Sequence, residues 1–235
     1  MLPAESPEAL LALGREVRAR GAPGMLVSGG CDARGRVPLT PFLDALTILV
    51  GEGMRLNIHT GLLDQAAASA LVSTGAEVFS VDLLQDPRAI EGSLHLRATP
   101  RDYEDTVANL IAAGGRVVPH VLVGLQSREA ETACLEVLGR HEVHGVVVLG
   151  LMPPRGERAA DDLEGRLTSF VSGAVKRTGA PVLLGCMRPR GRELEERCLE
   201  AGAAGVVNPS PRTLAWAKER GMEIETRELC CALYR

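Results

Sequence analysis

A parallel α/β barrel is the fold class this sequence predicts, and three observations carry the prediction. Seven short apolar, β-branched runs recur along the chain, helical patterns rich in Ala, Leu and charge separate them, and those patterns repeatedly end at Gly. The runs are nearly continuous in apolar residues, as expected of parallel strands covered on both faces, and right-handed crossovers then place the helices outside. An open doubly wound sheet is the alternative. The chain has 235 residues, 46% hydrophobic and 24% charged, enough for one sizeable core. No linker or low-complexity segment divides it, so residues 1–235 read as one domain. With only three Phe, two Tyr and one Trp, the core must be built from Val, Leu, Ala and Ile.

The opening MLPAESPEALLALGREVRARG has early acids and an apolar run broken by Gly14, which does not suit a signal peptide. The first strand run is GMLVSGG (24–30); Thr40 and Pro41 in DARGRVPLTPFLDAL then resemble a helix start. RLNIHTG (55–61), EVFSVDLL (77–84), RVVPHVLVGL (116–125), GVVVLGLMP (145–153), PVLLGCM (181–187) and AGVVNPS (204–210) follow. Helix stops fall at LVSTGAE, LIAAGGR, VKRTGAP, CLEAGAAG and AKERGME, where Gly can take a positive φ. Pro153 and Pro154 in GLMPP open a loop that cannot pair regularly, suited to lining a flat ring through its backbone. EIETREL (223–229) reads as an eighth strand or an edge strand.

A formal charge of −4 with no basic stripe argues against nucleic acid as a partner, and no apolar run approaches a membrane span. A cytoplasmic protein is expected, in which six cysteines read as thiols or metal ligands rather than a disulfide framework.

Barrels of this kind carry activity where the carboxyl ends of the strands share one mouth. The strand tips supply Ser28, Gly29, Gly30 and Cys31, then His59, Thr60, Asp82, His120, Met152, Cys186, Arg188 and Asn208. Of these, His59, Asp82, His120 and Arg188 are the candidate catalytic groups, although a strand-tip His equally well caps a helix or satisfies a buried carbonyl. Cys134 and Cys198 lie mid-helix at core spacing and read as packing residues. Cys31 and Cys186 follow apolar strands directly, and Cys230 and Cys231 form an adjacent pair in a tail with the reach to fold over the mouth. Those four are the candidate metal ligands, for zinc or an iron–sulfur cluster, against the alternative that adjacent cysteines chelate a single tetrahedral ion poorly. SGG offers bared backbone to a ligand's amino or carboxylate group.

The order of motifs resembles the radical S-adenosylmethionine (SAM) superfamily, and within it the biotin-synthase-like barrels that include the archaeal-type, two-subunit lipoate synthases. The resemblance rests on LVSGGCDARGRVPL (26–39), NIHTGLLD (57–64), VFSVDLL (78–84), DYEDTVANLIAAGGRVVPHVLVGL (102–125), LMPPRG (151–156), LLGCMRPRG (183–191) and ELCCAL (228–233), in that order. It implies a partial (β/α) barrel lacking its first βα unit. It also implies SAM as cofactor, with Ser28, Gly29 and Gly30 at its amino group and the backbone of Val123, Gly124, Leu151 and Met152 along its adenosine. Cys31, Cys186, Cys230 and Cys231 would hold an auxiliary cluster or handle sulfur. The implied chemistry is hydrogen abstraction by a 5′-deoxyadenosyl radical followed by sulfur insertion into a lipoyl- or biotin-type substrate, with ferredoxin or flavodoxin as electron donor.

The departure is as informative. Radical SAM enzymes hold their catalytic [4Fe–4S] cluster with a CxxxCxxC loop, and no such spacing occurs in these 235 residues. The resemblance would put that loop just upstream of MLPAESPEALLALGREV, so the chain reads as starting at an internal methionine or as having lost its first βα unit. Three function classes follow: a radical SAM enzyme of biotin- or lipoate-synthase type; a SAM- or cluster-binding subunit working beside a complete radical SAM partner; and an ordinary barrel lyase or metal-assisted hydrolase using His59, Asp82 and His120. No strand carries a Schiff-base lysine, and no Walker or dinucleotide glycine spacing is present.

Overall fold

A computed structural model describes residues 2–152, 162–190 and 193–233. All seven expected strands form: β1 (Gly24–Val27), β2 (Arg55–His59), β3 (Val78–Asp82), β4 (Val117–Val123), β5 (Val146–Gly150), β6 (Val182–Leu184) and β7 (Gly205–Val206). Every neighbouring pair is parallel and the spatial order is β1 to β7 without a reversal. A doubly wound sheet reverses its strand order at a switch point. The unbroken order instead curls the sheet into a half-barrel, with the helices between strands on its convex side.

Helices α1 (Pro7–Ala19), α2 (Leu43–Gly51), α3 (Gln65–Val72), α4 (Pro100–Ala112), α5 (Arg128–Arg140), α6 (Leu163–Thr178), α7 (Leu194–Glu200) and α8 (Pro211–Glu219) fill that layer. Local chemistry sets their starts. Asp64 caps α3 through the Ala67 N–H, Ser127 caps α5 through Ala130, and Ser210 caps α8 through Thr213 with Pro211 at the first helical position. Thr99 and Asp102 close a reciprocal capping box on α4. All five glycine stops take positive φ, among them Gly114 at 86° and Gly202 at 102°. Thr40 and Pro41 begin a 3-10 turn, Thr40–Phe42, that runs into α2.

Alternation divides the strands into two faces. Leu56, Ile58, Phe79, Val81, Val121, Val123 and Val148 pack outward among the helices. The opposite phase, Val78, Val118, Val147 and Leu183, lines the lumen and packs against Ala232 and Leu233 of the carboxyl-terminal tail. A barrel interior is normally filled by layers of bulky strand side chains. Here the inward residues are modest in size, and the last described turn, Cys231–Leu233, occupies the space between them, with Leu233 1% exposed.

Two expectations change. EIETREL (223–229) forms no strand; it is a connector without β pairing, exposed over 223–228, that brings the chain from α8 to the lumen, where Leu229 packs. The tail lies inside the barrel rather than over its mouth, because Ala232 and Leu233 find apolar partners on the concave face. Among the described residues no helix is long and apolar enough to cross a membrane.

Candidate functional site

The lumen-facing phase of β2, β3 and β4 places Asn57, His59, Ser80, Asp82 and His120 on one surface. Register does this directly: Asp82 pairs with His120 and His59 with Ser80 across adjacent strands. The His59 and His120 rings stack, with centroids 5.3 Å apart and planes inclined by 27°. His59 Nε2 lies 3.5 Å from Asp82 Oδ1, an ion-pair distance without hydrogen-bond alignment. Both His59 Nε2 and His120 Nε2 are buried nitrogens with no hydrogen-bond partner.

Their charges are interdependent. Burial acts to lower the His59 pKa, but the Asp82 carboxylate outweighs it and raises it. Burial, reinforced by the neighbouring His59, holds His120 down at about 4. Desolvation would raise Asp82, yet His59 keeps it below the usual carboxylate range. The group thus favours ionised Asp82 and a protonated His59, with His120 held toward the neutral imidazole.

Deeper in the lumen, Ser80 Oγ donates to Asn57 Oδ1 at 2.8 Å, which turns the Asn57 amide nitrogen toward Cys230 Sγ, 3.3 Å away. Asn57 and Ser80 are both 0% exposed. The Cys231 thiol, donating to Cys230, brings the latter down to about 6, with help from the Ala232 N–H, Asn57 and the His59 charge. Cys231 is correspondingly raised. The chain therefore keeps a thiolate-competent sulfur beneath the histidines. Nothing in the sequence reading singled out Asn57 or Ser80. Their signal was available as polar residues in apolar runs, two positions before His59 and Asp82 and so on the same strand face.

The other candidates are distributed around the rim. Ser28, Gly29 and Gly30 follow β1; Gly30 and Cys31 border a cavity of about 510 Å³ between the segment 30–40 and α3, lined also by Val37, Leu39, Leu62 and Leu71. A Cβ on Gly30 would meet nothing within 4 Å, whereas one on Gly29 would press on Val37. Gly124 turns at φ 96° after β4 and donates its N–H to Glu131 Oε1 at 2.8 Å. The Leu151 N–H donates to the Val123 carbonyl at 2.8 Å, so the two segments expected along an adenosine do meet. Val123 itself packs into the outer core, leaving only its backbone for a ligand, and Met152 is exposed. Pro153, Pro154 and the rest of the loop to residue 161 lie outside the described residues, as does Gly191 of LLGCMRPRG.

Arg188 does not join the lumen group. Its guanidinium is fully buried in the wall, paired with Glu195, and donates to the carbonyls of Gly185 at 2.5 Å, Val207 at 2.8 Å and Asn208 at 3.3 Å. The four candidate metal thiols do not converge at the spacing of a mononuclear site; among the described residues only His59, Asp82 and His120 do. Cys31 and Cys186 are exposed at the rim, while Cys230 and Cys231 lie half-buried below. Cys134 and Cys198 are buried at 0% exposure, and burial pushes their thiols up to about 12 and about 11.

No family model matches the sequence, and no curated protein matches it. Solved structures do match in fold. Methylornithine synthase (PylB) superposes with a TM-score of 0.66 at 16% identity, over 93% of this chain and 73% of that one. The [FeFe]-hydrogenase maturase HydG from Carboxydothermus hydrogenoformans gives 0.63 at 13% identity, over 94% and 59%. SuiB from Streptococcus suis, bound to S-adenosylmethionine, gives 0.59 at 15% identity, over 82% and 45%. The chain thus spans 45% to 73% of the length of these proteins. The likeness is one of fold: these proteins share the partial (β/α) barrel of parallel strands described above.

Proposed function

We propose that this chain is the barrel of a radical SAM enzyme, with SAM across the strand ends and the substrate facing His59, Asp82 and Cys230 in the lumen. The observation that supports the reading is the half-barrel itself, combined with bared backbone at its rim. Gly30 has open space where a Cβ would stand, and the Leu151–Val123 hydrogen bond joins the two segments that would flank an adenosine. SAM therefore fits the residues present, and when bound it supplies a 5′-deoxyadenosyl group for hydrogen abstraction.

The catalytic [4Fe–4S] cluster does not fit this chain's residues. Its cysteines stand singly or side by side, never as a spaced trio in one loop. The ligands for that cluster must come from residues other than these, whether elsewhere in a longer chain or on a cluster-bearing partner subunit, with ferredoxin or flavodoxin as electron donor. What the present residues supply is clear in outline. The Asp82 carboxylate favours protonation of His59, and Asn57 and Cys231 hold Cys230 toward its thiolate form. The packed tail closes the floor of the lumen against water.

Within this reading we assign the reaction to the sulfur-inserting type, on a lipoyl- or biotin-type substrate. Its support is the sequence likeness in LLGCMRPRG and ELCCAL, together with the sulfur chemistry available at Cys230. The test is calorimetric titration of SAM into the chain. The wild type binds, and Gly30→Val weakens binding by about tenfold or more, equivalent to about 1.4 kcal/mol, while the unfolding temperature is unchanged. Wild-type affinity in Gly30→Val, or no SAM binding by the parent chain, refutes the reading.

A further inference from the structure

We propose that His59, His120 and Asp82 form a binding site for a single divalent first-row transition-metal ion, zinc by donor chemistry, in the lumen of the barrel. This goes beyond the SAM reading and stands independently of it, since it uses neither the rim backbone nor any cysteine.

Geometry carries the inference. The three side chains offer two imidazole nitrogens and a carboxylate oxygen that all lie within 4.8 Å of one another. On a tetrahedral zinc ion with bonds of about 2.0–2.2 Å, neighbouring ligand atoms stand about 3.3–3.6 Å apart. His59 Nε2 and Asp82 Oδ1 are already at 3.5 Å, and the remaining ligand-atom separations are within 4.8 Å. The residues come from three consecutive strands held in parallel register, so their backbones are fixed by the sheet's own pairing.

The second observation is the pair of orphaned nitrogens. His59 Nε2 and His120 Nε2 are both buried and both lack a hydrogen bond. An unsatisfied buried polar atom is costly, and native interiors avoid such atoms. Asp82 as a simple ion-pair partner for His59 would leave His120 unsatisfied. One cation between the three groups accepts both nitrogen lone pairs and neutralises the carboxylate together. Two imidazoles and a carboxylate suit zinc, or iron(II) in a facial triad, far better than calcium or magnesium, which take oxygen ligands.

The site is also open. Asp82 leaves 55% of its side chain exposed toward the mouth, so three protein ligands would leave a coordination position facing whatever binds there. That is the pattern of a catalytic rather than a structural ion, where a bound water or substrate oxygen takes the remaining place.

The experiment reads metal content, not activity. The full chain is loaded with zinc, desalted and analysed by mass spectrometry for metal per protein, with circular dichroism confirming that each variant is folded. The wild type, Cys230→Ser and Cys186→Ser retain about one equivalent, whereas His120→Ala and Asp82→Asn fall below about a tenth. Asp82 is half-exposed, so Asp82→Asn keeps the test valid if a histidine variant does not fold. Cobalt(II) in place of zinc shows no sulfur-to-metal charge-transfer band. Three results overturn the proposal: no stoichiometric zinc in the wild type, zinc kept by Asp82→Asn and His120→Ala, or a sulfur band and loss of metal in the cysteine variants, which would move the ion to the thiols.

Discussion

Arg188 separates a wall residue from a mouth residue, and Arg188→Met tests the separation. The guanidinium is 0% exposed and satisfies three main-chain carbonyls, of Gly185, Val207 and Asn208, as well as Glu195. Glu195 in turn accepts from the Ser210 N–H at 2.8 Å and the Thr213 hydroxyl at 2.6 Å. One ion pair therefore ties the ends of β6 and β7 to α7 and the start of α8. Removing Arg188 leaves Glu195 with only the half-exposed Arg190, 3.5 Å away, as an ionic partner, and breaking such a buried pair costs about 3–5 kcal/mol. With a urea dependence of about 2–3 kcal/mol/M, the midpoint of unfolding moves down by about 1–2.5 M. The double variant Arg188→Met/Glu195→Gln recovers part of that loss, because no buried charge remains and the amide oxygen still accepts from Ser210. SAM affinity, measured below the transition, stays within about threefold of the wild type, a difference of less than 1 kcal/mol. An unchanged urea midpoint with abolished SAM binding would refute this and return Arg188 to the mouth.

Acid should expose the same pair. Desolvation would raise Glu195, but the Ser210 and Thr213 hydrogen bonds and Arg188 keep it below its ordinary 4.5. A carboxyl whose folded pKa is depressed contributes stability that is fully present above the unfolded value and is lost as pH falls through the folded one. Stability therefore declines on acidification below about pH 4.5, and Glu195→Gln flattens that part of the profile; an identical slope in both proteins would count against the assignment. Native-state alkylation should modify Cys31 and Cys186 first and leave Cys134 and Cys198 unlabelled until the chain unfolds; early labelling of Cys134, read by peptide mass, would contradict its burial. Leu233→Ala should cost about 2–5 kcal/mol despite its place at the end of the described chain, and a change of under about 0.5 kcal/mol in urea unfolding would mean the tail is not part of the core.

The strands were legible because burial on both faces leaves an unmistakable apolar run, and the glycine stops were legible because only one residue type takes positive φ cheaply. His59 and Asp82 were legible as strand tips for a related reason: a polar group at the end of an apolar strand has few places to go other than the mouth. His120 was expected at a tip but lies mid-strand in β4, and it meets them because it is in register with Asp82 on the lumen face. Arg188 shows the limit of that logic. It too follows an apolar strand, but a long side chain chooses its partners in three dimensions, and Glu195, seven residues on, was indistinguishable in sequence from an ordinary charged residue at a helix start. EIETREL shows another limit. Its alternation suits a strand edge, yet the chain leaves that edge to bury Ala232 and Leu233, a gain that depends on the shape of a lumen no local pattern encodes.

Depth within the lumen is what ties the separate observations together. Counting along β2, Arg55, Asn57 and His59 share one face at increasing height, from the floor to the mouth. At the floor Arg55 pairs with Glu77 and donates to the Leu233 carbonyl, fixing the tail. One step up, Asn57 meets Cys230, and one step further His59 meets Asp82 and His120. The tail therefore sets the depth of the cavity as well as filling it, because Cys230 is positioned by the packing of Leu233 three residues on. Loosening that packing should carry the sulfur away from Asn57 while leaving the histidines in place, since they are held by strand register alone. On this argument Leu233→Ala changes the reactivity of Cys230 toward alkylating reagents but leaves zinc retention at His59, Asp82 and His120 intact; loss of zinc together with the packing would show that the two levels of the lumen are not built independently.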